Sequence, residues 1–131
     1  MKNLLLAAAI GMIGAQVHAA SFTLQCIQTL PNGGAYANVN AVVTPDASGN
    51  SGNADITLIQ GGVTIVSLKG YPVTINQWAK GTEIYDKNAA DDNSGSIKLG
   101  ISSFGTIGEV FIKNSTGAKV FTDNEQDCSL Q

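Results

Sequence analysis

The sequence predicts an all-β protein, a small antiparallel β-barrel or β-sandwich of about eight or nine short strands with its termini joined by a disulfide. Three observations carry that expectation. Short runs of Val, Ile, Leu and Phe alternate with polar residues at period two. Gly, Asn, Ser and Thr cluster between those runs, where turns need them. Two cysteines, Cys26 and Cys128, lie near opposite ends of what remains once the first residues are set aside.

Those first residues read as a targeting segment. Lys2 is followed by an apolar run from Leu4 to Ala15 and then by the small-residue site Val17-His18-Ala19. Positive, apolar, small is the order of a secretory signal peptide. The apolar run is short for a bilayer span, and no stop-transfer segment follows it. Cleavage is expected after Ala19 or Ala20, so that 1–19 is signal and 20–131 is one exported β domain with no membrane anchor. The expected location is periplasmic or extracellular.

Export decides how the cysteines are read. Two cysteines in an oxidising compartment allow one intramolecular pairing, Cys26–Cys128. Without histidine they could not complete a tetrahedral zinc shell. The bridge would staple the polar tail "TDNEQDCSLQ" to the first strand.

Along the chain, "SFTLQCIQTL" sends Phe22, Leu24, Cys26 and Leu30 to one face, and "PNGG" turns. "AYANVNAVVT" alternates again, and "PDASGNSGN" reads as a long polar loop. In "ADITLIQGGVTIVSLKG", two apolar runs flank Gly61-Gly62, the composition of a two-residue hairpin turn. "YPVTINQW" reads as a further strand, although "INQWAKG" could make one helical turn ending at Gly81. "TEIYD", "SIKLGI", "TIGEVFIK" and "AKVFTD" supply the rest, separated by "KNAADDNSG" and "NSTG". Gly100, Gly105 and Gly108 read as bulges or bends that help a sheet curve.

Composition narrows the chemistry. His18 leaves with the signal, and the chain has no arginine. Serine–histidine, cysteine–histidine and histidine-ligated metal chemistry therefore fall away. Six lysines against ten acids leave the exported chain a net charge of −4, with no basic cluster for nucleic acid. No cofactor is expected. A carboxylate pair of the glycosidase type, Glu83 and Glu109, or a Ser–Lys couple is what remains for catalysis.

Calcium is the one metal the loops raise. Asp46, Ser48 and Asn50 fall at alternate positions, and Asp55 follows. The glycine is displaced to position 52, and Thr57 stands where a bidentate Glu belongs, so Asp46, Asn50 and Asp55 are weak candidates and the metal expectation is none. "DKNAADDNSG" has oxygen ligands without regular spacing. Asn114-Ser115-Thr116 is a sequon that reads as a turn.

Aromatic residues offer a binding face. Trp78 falls on the opposite side of its strand from Tyr71, Val73 and Ile75, with Tyr36 and Tyr85 as companions. The competing reading makes Trp78 a plug at one end of the barrel. The functional expectation is an exported, non-catalytic binding module of the cell envelope, with no catalytic residues and a protein or glycan partner. A secreted protease inhibitor and a small glycan-active enzyme are the alternatives.

Overall fold

The computed structural model describes residues 20–29, 32, 34–102, 108–123 and 128–131. The expected signal peptide, 1–19, Leu30, Pro31 and Gly33 at the "PNGG" turn, and Gly105 lie outside the described residues. The strands in chain order are β1 (Phe22–Thr29), β2 (Ala35–Pro45), β3 (Ser51–Gln60), β4 (Val63–Trp78), β5 (Gly81–Asp86), β6 (Ile97–Ser102), β7 (Gly108–Lys113), β8 (Lys119–Asp123) and β9 (Cys128–Leu130). All pairings are antiparallel, in the order β8-β7-β6-β5-β4-β3-β2-β1-β9. The result is one nine-stranded sheet curled into a half-barrel.

Alternation sorts the side chains as the sequence requires. Leu24 and Cys26 of β1, Val39, Ala41 and Val43 of β2, and Ile56 and Leu58 of β3 point inward and are buried. Val73, Ile75, Ile84, Leu99, Val110 and Ile112 continue that core around the curl. The cross-strand register keeps each inner residue opposite an inner one, as in Leu24↔Ala41↔Ile56 and Ile75↔Ile84↔Leu99↔Val110. A one-residue slip would turn the whole inner set to solvent, so the pattern specifies the register.

The Gly61-Gly62 turn forms with both residues at positive φ, 56° and 80°. That pair of angles matches the twist of an antiparallel hairpin, and glycine adopts it without a Cβ clash. Leu58 pairs with Val66 across it, and Ile65 is the residue beside the register shift.

Three local readings differ from the structure. "YPVTINQW" is not a separate strand or a helical turn; it continues the preceding run as the 16-residue β4. Gly70, at φ 60°, bends the strand without ending it. Pro72 is tolerated because its carbonyl, and hence its nitrogen, faces the β5 side one residue beyond that ladder, where Lys87 N–H reaches the carbonyl at 3.2 Å. The loop after β2 is shorter than expected, since Ser51, Gly52 and Asn53 already belong to β3 and pair with Thr74, Val73 and Pro72 of β4. Gly100 and Gly108 lie in regular register rather than at bulges, opposite Glu109 and Ile101. They are small because other groups crowd them.

The tail is strand, not merely a stapled end. Leu24, Gln25 and Cys26 pair with Leu130, Ser129 and Cys128, so the Cys26–Cys128 disulfide joins directly opposed residues. The two cysteines are 102 positions apart and both buried.

Candidate functional site

The outer face of β4–β7 carries the unusual chemistry. Outward positions form rows across the strands: Trp78 opposite Gly81; Asn76, Glu83, Gly100 and Glu109; Thr74, Tyr85, Lys98 and Phe111. An outer face ordinarily leaves its charges in water. Here Glu83 is 6% exposed and Lys98 7%, because the 87–96 connection folds back over them.

Asp86 holds that connection in place. Its carboxylate accepts the Tyr71 hydroxyl at 3.0 Å and the backbone N–H groups of Ser96 and Ile97, both at 2.9 Å. Burial pushes the Tyr71 phenol up to about 12, and the hydrogen bond to Asp86 adds to the shift. Gly95 sits where a β-carbon would stand 2.7 Å from the Asp86 carboxyl carbon, so the loop closes tightly over its anchor.

Lys98 is the hub. Its ammonium lies 3.3 Å from Asp92 in the loop and 3.2 Å from Glu109 on β7, and it donates to the Asn93 side-chain oxygen at 3.4 Å. Burial works against the ammonium, but the hydrogen bonds to Glu109 and Asp92 outweigh it and hold its pKa above the usual value. Glu83 accepts from the Asn76 amide at 3.0 Å and contacts the Asp92 carboxyl. Burial raises the Glu83 pKa, while the hydrogen bond with Glu83 lowers that of Asp92, so Glu83 is the member of the pair that takes up a proton first as pH falls.

The structure thus places Glu83 and Glu109 on one face, on either side of Gly100, whose β-carbon would meet that of Glu83 at 3.1 Å. Their strands are two apart, about 10 Å between backbones. Sequence reading named the two acids but missed Lys98 and Asn76, which make the cluster. The available signal was a lysine between Ile97 and Leu99, an outward position in a strand with both neighbours buried.

Trp78 is 48% exposed at the end of β4, on the same face as Asn76 and Glu83. Tyr85 lies two rows away, half-buried beside Lys98. Tyr36 does not join them. It sits beside the Gly61 turn, where its carbonyl accepts the Gly61 N–H, at the far end of β4 from Trp78. A straight strand of that length spans about 50 Å, so the three aromatics do not form one patch. Phe111 is a fourth, buried under the Lys113 and Lys119 ammoniums at 4.9 and 5.2 Å from its ring centre.

The loop carboxylates are placed apart. Asp46 closes its own turn, accepting the Ser48 N–H and hydroxyl at 2.9 and 2.6 Å, and the Ser48 hydroxyl lowers its pKa. The Ser48 hydroxyl oxygen in turn accepts the Asn50 N–H. Asp55 stands within β3, accepting the Gly70 N–H and facing Lys69 at 3.8 Å. Among the described residues no group of three acids, cysteines or histidines is arranged to hold a metal ion. Asn114 closes the β7–β8 turn through the Thr116 and Ala118 N–H groups, both at 3.0 Å.

Comparison with protein-family models, with curated proteins and with solved structures returned no match. Function must therefore be argued from the outer face itself.

Proposed function

We propose that the protein is an exported, non-catalytic binding module of the bacterial cell envelope, with Trp78 as the anchor of its binding face. The observation that carries this reading is the half-exposed indole at the end of β4. A large aromatic surface is seldom left in water without use, and tryptophan is the side chain that most often anchors a contact. Asn76, exposed, stands next to it on the same face and offers an amide to a polar ligand. The Cys26–Cys128 bond is compatible with an oxidising compartment, and among the described residues no helix is long and apolar enough to cross a membrane.

The test is affinity capture from envelope extract with the oxidised protein and with Trp78→Ala. The variant is expected to weaken capture by about 2 kcal/mol while leaving the melting temperature nearly unchanged. The intrinsic fluorescence of the single tryptophan should be red-shifted and readily quenched. A blue-shifted, quencher-resistant emission would remove Trp78 from the surface and the proposal with it.

Glu83 and Glu109 support a second reading, a small glycan-active enzyme. The two acids lie on one face with only Gly100 between them, and two flanking carboxylates are the minimum for glycoside hydrolysis. Binding is preferred because Lys98 already engages Glu109, while Asn76 and Asp92 occupy Glu83. Release of reducing ends from envelope glycans, abolished in Glu83→Gln, would reverse that preference.

A further inference from the structure

The two halves of β4 differ in their neighbours. Val73–Trp78 pairs with β5, whereas Val63–Lys69 pairs only with β3 among the described residues. The second edge of that first half therefore presents a row of backbone donors and acceptors at β spacing. Another extended strand is the partner that satisfies such a row completely. Protein edges are ordinarily blunted with charge, proline or bulges. Here the stretch "VTIVSL" contains no charge and no proline; its one irregularity is the extra residue Ile65 at the register shift with β3, and Val63 and Ile65 are 59% and 47% exposed. Ile59 and Tyr36, also exposed, extend the apolar surface around the turn.

We propose that this edge pairs antiparallel with the same edge of a second copy of the chain, about a two-fold axis at Ser67. Three features favour a second copy over an unrelated strand. First, β4 carries two extra residues relative to β3, one between Thr64 and Val66 and one between Leu68 and Tyr71. They bracket Ser67 nearly symmetrically, so the twist they impose on one edge is matched by its two-fold mate. Second, this register sets Val66 opposite the partner's Leu68. Both are partly buried against the core, and pairing prolongs the apolar inner face across the axis. Third, the charges agree. Lys69 meets the partner's Ile65 rather than another lysine, and its own charge already lies against Asp55.

Sedimentation of the oxidised protein over a range of concentrations tests the pairing. A dimer is expected, and Ser67→Cys should cross-link it through the new thiol, since residues directly opposed across an antiparallel pair lie within disulfide reach. Ile65→Lys places lysine opposite Lys69 and should weaken association by about tenfold or more, because like charges directly opposed are destabilising. Ile65→Glu, of similar size, should retain the dimer. Both positions are exposed, and an unchanged melting temperature for the dissociated chain would exclude misfolding as the cause. A protein that stays monomeric at millimolar concentration overturns the proposal. So does a dimer indifferent to the charge at position 65, or Ser67→Cys cross-linking to a different envelope protein instead of itself.

Discussion

Gly108, the first residue of β7, packs face to face with the Sγ of Cys128, so closely that a β-carbon on Gly108 would overlap the sulfur. The same β-carbon would lie 2.7 Å from the Cys128 Cβ and 2.7 Å from the Gly100 carbonyl oxygen. Strand β9 is six positions away from β6 in the sheet order but touches it in space, as does β1. The disulfide and the glycine are thus the point at which the curled sheet meets itself.

Gly108→Ala is expected to destabilise the oxidised protein by about 2 kcal/mol, as overpacking does, although alanine in a strand is otherwise the better residue. In a Cys26→Ala, Cys128→Ala background the cost should fall by about half, because the sulfur is gone while the Gly100 oxygen remains. Urea denaturation of the four proteins gives the coupling directly. An equal cost in both backgrounds would place the crowding elsewhere.

The disulfide itself closes a long loop, and the chain-entropy model assigns such a bridge about 4–5 kcal/mol before native strain is counted. Reduction should lower the denaturation midpoint accordingly. Under non-reducing conditions an alkylating reagent should label neither Cys26 nor Cys128 in the folded protein, since both are bonded and buried.

Glu83 gives stability a pH dependence opposite to that of most carboxylates. The folded state binds its proton more tightly than the unfolded chain, whose ordinary value is 4.5. Stability from this group is therefore greatest below that value and is lost as pH rises through the raised folded pKa. Asp92, held low, works the other way, and its contribution disappears only as pH falls below the ordinary 3.8. Glu83→Gln keeps the bond to Asn76 and can donate to Asp92 without a proton. It should raise stability by about 1 kcal/mol at pH 7 and change little at pH 4. Thermal melts at the two pH values decide it.

The Tyr71 phenol should ionise late, at about 12. Its hydroxyl donates to Asp86, and only the neutral phenol can do so. That hydrogen bond contributes fully below the ordinary 10.0 and is lost as pH rises to about 12. Ultraviolet titration should show a late phenol component that Tyr71→Phe lacks. The substitution should cost about 1 kcal/mol at neutral pH, and the Ser96 and Ile97 amides that Asp86 holds, at the end of the connection and the start of β6, should exchange faster.

What the sequence by itself determined is the inward and outward alternation, the Gly61-Gly62 turn and the pairing of the cysteines. Each rests on local or compositional rules. Period two assigns faces, two consecutive glycines permit the positive φ angles, and two cysteines allow one intramolecular pairing. Gly70 and Pro72 misled for the same reason, since both read locally as a strand end. Whether a strand bends or stops there depends on which neighbour its backbone meets, and β3 runs past the bend while β5 begins beyond it. Lys98, Glu83, Asp92 and Glu109 come from β6, β5, a loop and β7, and their encounter follows from register and from the way the loop folds back. The separation of Tyr36 from Trp78, the free edge of β4 and the contact of Gly108 with Cys128 were likewise decided only by tertiary structure. Pairing order and sheet curl set distances between residues far apart in the chain, and a local pattern carries no information about those distances.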